Sequence, residues 1–377
     1  MEILWKGPVW GQSGFEKLTR GIVLALDKLG VKIQLDDKLD WNKERCKLEN
    51  EEEFRLSRMV EYRAANPVAY IFHQFPSNED IRLAYSRGVS ILKVCYTLFE
   101  TDKCPMPWID RLNKMDEVWT FSKFNRETFT SSGVNNVKVM PVGVDTELFS
   151  LNVIPLNIKG KRGFTFITNG DFTERKNFEG LLEAFVKEFT YSDDVCLVVK
   201  AHFGGFVKSH RDEVLRRLRE IVYRFNSKNP PKVLFMGDKV PEEDMPRFYA
   251  VGDCFALVSR GEGLGLPYLE AMACGKPCIA ANWGGHTQYL NNENSFLVGA
   301  EVKVIDDMEY IKKCLYALNH KWAHPHLDEV RDRMRFVVTC PELAKEKGKK
   351  AREDMEKLTW QKSALWVLSR IFGEGKE

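Results

Sequence analysis

The run Ser259-Arg260-Gly261-Glu262-Gly263-Leu264-Gly265-Leu266-Pro267-Tyr268-Leu269-Glu270-Ala271-Met272-Ala273-Cys274-Gly275-Lys276-Pro277 constrains this chain more than any other. The apolar stretch Cys254–Val258 before it reads as a buried strand, and a second begins at Pro277 and runs to Ala281. Between them lie a glycine-rich loop and a short helix opened by Pro267, a residue suited to a first helical turn. Glycines let backbone approach a ligand closely. A helix start offers unpaired N–H groups and partial positive charge, which suits phosphate. Glu262 falls in the loop and Glu270 one turn inside the helix. Two carboxylates beside such a cradle suggest sugar hydroxyls held next to a diphosphate.

Seven residues separate Glu262 from Glu270, and the run Glu-Gly-x-Gly-Leu-Pro-x-Leu-Glu-Ala-Met-Ala-x-Gly-x-Pro resembles the signature of retaining GT-B glycosyltransferases, family 4 (glycosyl transferases group 1). The resemblance implies two Rossmann-like domains facing across a cleft. Glu270 would accept hydrogen bonds from ribose hydroxyls, and Glu262 would hold the donor sugar near its reacting carbon. Backbone N–H groups along Gly263, Leu264, Gly265 and Leu266 would hold the diphosphate. The alternative is a glycine-rich strand–helix turn in an ordinary α/β domain.

With 377 residues, two or three domains are expected, and 44% apolar residues supply sizeable cores. A net charge of +2 gives no reason to expect a nucleic-acid partner. The nine cysteines are scattered, without zinc-type spacing, and read as reduced thiols in a cytoplasmic setting. There is no signal-peptide pattern, membrane-length apolar run or solenoid repeat.

The first half alternates strands and helices. A strand at Ile3–Trp5 leads through a loop bearing Gly11 and Gly14 into a helix over Phe15–Leu29, closed by Gly30, and then a strand at Val31–Leu35. Gly11 and Gly14 match the family loop that faces the donor diphosphate, although a turn needing glycine explains them equally well. The strand from Pro67 ends at His73, and that from Ser90 leads to Glu100 and Asp102. Family members carry a catalytic-side histidine after one of these strands. At the expected place this chain has Phe99-Glu100, with His73 one strand earlier, so both His73 and Glu100 are candidates. Each also reads as an ordinary residue, His73 as a hydrogen-bonded strand-end histidine and Glu100 as part of a solvated loop pair.

In the second half, a strand at Phe164–Thr168 is followed by Asn169-Gly170-Asp171 as loop and by Arg175-Lys176 before an amphipathic helix. The family places an arginine and a lysine here on the diphosphate. This chain has Asp171 at the arginine position and keeps Lys176, with Arg175 as substitute. A departing nucleoside diphosphate is negative, and fixed cations stabilise it. Val240, after a strand at Lys232–Met236, matches the backbone that reads the nucleobase. Asn282-Trp283-Gly284-Gly285-His286-Thr287 reads as a further glycine turn into a helix. From Asp306 onward the chain reads as mostly helical, broken by Trp322-Ala323-His324-Pro325. A last helix over Thr359–Phe372 crosses to the first domain in the resembling fold. Packing on its own domain and a membrane-surface role remain open.

The expectation is therefore an α/β protein of GT-B type. Residues 1–155 form an acceptor-side domain, 156–355 a nucleotide-sugar donor domain, and 356–377 a crossover helix. The implied reaction moves a sugar from a UDP- or GDP-linked donor to a hydroxyl of a carbohydrate or glycoconjugate acceptor, with retention and without cofactor or metal. Peripheral association with the inner membrane face is left open. Two rivals stand beside it: a non-catalytic nucleotide-sugar binding protein, and another GT-B enzyme such as an epimerase or phosphorylase.

Overall fold

The structure is a computed structural model that describes residues 1–37, 46–86, 90–203, 208–308, 311 and 318–373. Residues 309–310 and 312–317, within the stretch read as helical from Asp306 onward, lie outside the described residues. In chain order the first elements are β1 (Glu2–Lys6), α1 (Gly14–Lys28), β2 (Lys32–Asp36), α2 (Asn50–Glu61), β3 (Ala69–His73), α3 (Asn78–Ser86), β4 (Leu92–Tyr96), α4 (Met106–Leu112), β5 (Glu117–Thr120), α5 (Lys123–Ser131) and β6 (Val137–Val139). Then come β7 (Phe164–Asp171), α6 (Phe178–Glu188), β8 (Val195–His202), α7 (Lys208–Phe225), β9 (Lys232–Met236), α8 (Met245–Val251), β10 (Cys254–Ala256), α9 (Leu266–Ala273), β11 (Cys278–Ala281) and β12 (Ser295–Val298). The hairpin β13 (Ala300–Val304) and β14 (Lys321–Pro325) precedes α10 (Leu327–Thr339), α11 (Pro341–Met355) and α12 (Trp360–Phe372).

The chain divides into two compact units, one of residues 1–145 with 358–377 and one of residues 146–357. Each is built on a six-stranded sheet of parallel strands, ordered β2-β1-β3-β4-β5-β6 in the first and β12-β11-β10-β7-β8-β9 in the second. Strands buried on both faces need near-continuous apolar runs, and Cys196-Leu197-Val198-Val199 of β8 is fully buried. Helices need only one apolar stripe. Leu18, Ile22, Ala25 and Leu26 supply it on α1, which Gly30 ends at a φ of +81°.

α12 joins the first unit against α1. Its Trp360 ring occupies the space where side chains at Gly21 and Gly143 would stand, a Cβ there lying 2.3 and 2.5 Å from ring atoms. Trp366 meets Trp119 edge-on at 5.0 Å, and Arg370 pairs with Glu117. The last helix therefore has an apolar seat and an ionic latch in the unit to which it returns. Among the described residues no helix is long and apolar enough to cross a membrane.

Three sequence expectations need correction. Asn169-Gly170-Asp171 continues β7, because β8 offers in-register partners through His202. Trp322 to Pro325 form β14, paired antiparallel with β13; alternation of exposed and buried residues on a two-stranded ribbon is weak in so short a run. The turn at Gly284-Gly285 leads only into a single 3-10 turn over Gly285–Gln288.

Candidate active site

In open parallel sheets ligands bind beyond the carboxyl ends of strands where the strand order reverses. In the second unit that point lies between β7 and β10, which are neighbours although distant in sequence. The segment after β7 carries Arg175 and Lys176, and the loop after β10 carries Glu262. The fold brings these three together. Lys176 Nζ lies 2.6 Å from Glu262 Oε1, and Arg175 lies 3.4 Å from Oε2. Arg175 also donates to the Gly261 carbonyl at 2.7 Å, and the Arg260 N–H donates to the Arg175 carbonyl at 2.7 Å. The two segments are thus stitched by backbone as well as charge.

Lys176 ends a 3-10 turn, and its methylene stem packs over Gly170. Asn177 then takes a left-handed conformation, φ 55°, and caps α6 by accepting from the Gly180 N–H, while its own amide donates to Val258 at 3.0 Å. Both Lys176 and Glu262 are buried. Burial alone would raise the Glu262 carboxyl, but Lys176 and Arg175 outweigh it and bring it down to about 2. Glu262 is therefore ionised at neutral pH and is shared as counter-ion by both cations.

The loop from Gly263 to Gly265 is packed from below. Tyr289 donates to the Leu264 and Gly265 carbonyls at 2.7 Å, and the Gly285 N–H donates to Glu262 O at 2.7 Å. Gly285 must be glycine here, since a Cβ would sit 1.9 Å from the Gly263 carbonyl. Gly265 caps α9 at a φ of +85°, a conformation glycine adopts without steric cost. Leu266 and Pro267 open the helix half-buried. One turn on, Glu270 is buried and accepts from the Tyr249 hydroxyl at 2.7 Å. Burial, with Glu270 beside it, pushes the Tyr249 phenol well above its ordinary range, so it stays a donor. Val240 is buried after β9.

The first-unit candidates are arranged differently. The point of reversal there lies between β1 and β3. Gly11 sits in the loop after β1, where a side chain would collide with Glu16, whose carboxylate reaches back to the Ser13 N–H at 2.7 Å. Arg20 donates to the Val9 and Gly11 carbonyls at 2.7 Å, so this loop is fixed by α1, and Gly14 is the first residue of that helix. His73 ends β3 with no exposed surface. Thr19 gives its hydroxyl proton to the Phe15 carbonyl at 2.9 Å, so at 2.7 Å it accepts from His73 Nδ1–H, which leaves Nε2 a bare, buried acceptor. Tyr96 stacks on the imidazole at 4.3 Å, and burial holds the pKa of His73 down to about 3. Glu100, by contrast, is half-buried in the bend after β4.

Sequence reasoning missed Tyr249, Asn169 and Lys200, which lead into Glu270. It also missed Trp322, over whose ring Arg260 lies at 5.4 Å while the Ala323 N–H donates to Arg260 O at 2.8 Å. The apolar stripe of α8 gave Tyr249 the signature of a core residue, and only its hydroxyl distinguishes it.

Residues 163–320 match the family Glycosyl transferases group 1. The chain is 32% identical over 116 residues to O-antigen chain mannosyltransferase B of Escherichia coli, covering 30% of this chain and 27% of that protein. It is 31% identical over 186 residues to a GDP-mannose-dependent monoacylated alpha-(1-6)-phosphatidylinositol monomannoside mannosyltransferase of Corynebacterium glutamicum, covering 45% of each. The matches thus span less than half the length of either curated relative. Among solved structures, sucrose-phosphate synthase from Thermosynechococcus elongatus superposes over 100% of both chains with a TM-score of 0.69 at 17% identity, which shows a shared fold. The matched family segment falls in the second unit, and the chain as a whole carries the GT-B fold.

Proposed function

We propose that this protein is a retaining glycosyltransferase that moves a sugar from a UDP- or GDP-linked donor to a hydroxyl of a carbohydrate or glycoconjugate acceptor. The observation that carries the reading is the buried Lys176–Glu262 pair, joined by the half-buried Arg175, at the strand-order reversal of the second sheet. Lys176 and Arg175 bring two positive charges and Glu262 one negative, so the cluster keeps a positive excess toward a diphosphate. Held in fixed positions, such cations stabilise a leaving diphosphate without reorganising. The start of α9 adds up to ~2 kcal/mol for an anion in a partly buried setting. Glu270 grips the ribose diol, and Glu262 contacts the donor sugar while ordering the cations. Val240 stands at the nucleobase.

For the first-unit position the reading favours Glu100 over His73. A histidine with no exposed atom reaches a substrate only through a neighbour, whereas Glu100 has accessible surface. The same burial of His73 supports the second reading, a nucleotide-sugar binding protein that does not turn over. The GDP-mannose dependence of the Corynebacterium relative makes GDP-mannose the first donor to try.

Transfer is proposed to run without a divalent metal, the charge being met by Lys176, Arg175 and the α9 start. The test is incubation with a panel of UDP- and GDP-sugars and mixed acceptors in excess EDTA, with and without magnesium or manganese. Release of nucleoside diphosphate and a product of unchanged anomeric configuration, with or without metal, is the expected result. Release only with metal defeats the charge cradle, and binding without release selects the binding-protein reading. Glu270→Gln is expected to weaken donor binding by roughly 1.5–3 kcal/mol, the usual value of a charge-assisted hydrogen bond. Unchanged donor affinity in the folded variant removes Glu270 from the site.

A further inference from the structure

Two buried residues, Lys200 and Tyr249, and the half-buried Asn169 between them lead into Glu270. Lys200 Nζ lies 3.4 Å from Asn169 Oδ1, Asn169 Nδ2 lies 3.4 Å from the Tyr249 hydroxyl, and that hydroxyl lies 2.7 Å from Glu270 Oε2. Lys200 is buried on β8, opposite Asn169 in register on β7, and Tyr249 has no exposed surface. The direction of this chain is forced by its ends. A lysine ammonium only donates and a carboxylate only accepts. Lys200 therefore claims the amide oxygen of Asn169, which turns the amide nitrogen toward Tyr249. The phenol oxygen accepts there, and its single proton has one destination, Glu270.

We propose that Lys200, Asn169 and Tyr249 form a directional relay that positions Glu270 for the ribose diol of the donor, so that the protein's preference for a ribonucleotide depends on it. The proposal rests on the reading of Glu270 as the ribose-gripping group. A carboxylate free to rotate about its last torsion meets a diol in many poses, because terminal sp³–sp² torsions are broad. One oxygen fixed by Tyr249 restricts the poses and sets the plane of the other. The three residues are positioning residues, since none needs to touch the donor.

The experiment compares full-length protein, Tyr249→Phe and Asn169→Asp in titrations with UDP and GDP and with their 2′,3′-dideoxy counterparts. Tyr249→Phe deletes the proton given to Glu270. Asn169→Asp reverses the relay, because an aspartate accepts from both Lys200 and Tyr249 and draws the phenol proton away from Glu270. The unaltered protein is expected to prefer the better-binding ribonucleotide over its dideoxy form about tenfold or more, the loss expected when a charged acceptor is left unpaired. In both variants that preference falls to about twofold or less, while affinity for the dideoxy form, which lacks the diol, stays within about twofold. A merely structural role would weaken both ligands together and leave the ratio intact. If the unaltered protein binds neither nucleotide, the functional reading fails. If it binds and discriminates, and either folded variant keeps the full preference, the relay alone is overturned.

Discussion

Glu262→Ala is expected to destabilise the second unit by about 3–5 kcal/mol, the cost of removing one partner from a buried ion pair. The alanine leaves Lys176 in its buried position with no carboxylate at 2.6 Å, and Arg175 loses its counter-ion in the same step. The double variant Glu262→Ala, Lys176→Met is expected to recover most of the loss, because the uncompensated charge goes with the lysine. Denaturant unfolding of the two variants against the parent measures both. The coupling has a defined acid limit. Glu262 titrates at about 2 in the folded chain against an ordinary 4.5, so its contribution is complete above pH 4.5 and fades as pH falls toward 2. The penalty of the single variant should therefore shrink at pH 3. A single variant as stable as the parent at pH 7 would show that the three groups do not act together.

Between pH 6.5 and pH 4 the first unit is expected to lose about 3 kcal/mol of stability through His73 alone. Burial holds its folded pKa to about 3 against an ordinary 6.5. Below pH 6.5 the unfolded chain takes up a proton that the folded chain refuses. The contribution is therefore present above pH 6.5 and is lost as pH falls toward 3. His73→Phe keeps a ring in the setting formed by Phe15, Tyr96 and Phe121 while giving up the bond to Thr19. Its stability should fall less steeply with acid than the parent's, whatever its value at pH 7. Equal slopes from pH 7 to pH 4 would show that another group sets the acid sensitivity.

The sequence made the two sheets legible because their strands are apolar runs and their helices amphipathic, and these patterns survive whatever packs against them. Glu262, Glu270 and Lys176 were legible for a different reason. They sit at fixed offsets around glycines whose backbone geometry permits few alternatives, as Gly265 and Gly285 illustrate. Pairing was not legible. Lys176 and Glu262 are 86 residues apart, and only the adjacency of β7 and β10 makes them partners. Tyr249 was hidden because a tyrosine on an apolar helix stripe is indistinguishable from core until its hydroxyl is seen to meet Glu270. The strand at Trp322 was hidden because its partner β13 lies across a segment of sequence with helical pattern, and local pattern carries no information about antiparallel pairing at that distance. Gly11 was legible as a needed glycine but not for its cause, which is the returning Glu16 carboxylate.

The first unit is assembled from two stretches of chain separated by the whole of the second. A ribosome working at ~5–20 residues per second spends on the order of ten to forty seconds making residues 146–357 before α12 can emerge. Throughout that interval the seat formed by Gly21 and Gly143 has no tryptophan in it, Trp119 lacks Trp366, and Glu117 lacks Arg370. The nascent first unit therefore lacks the side chains that fill the seat at Gly21 and Gly143 and that meet Trp119 while its neighbour folds. Synthesis order makes the second unit the earlier one to be finished, even though it is the later one to be begun. A chain stalled before residue 358 would present to chaperones a defined, unfilled groove along α1, and a peptide of residues 358–373 supplied in trans is the natural ligand for it.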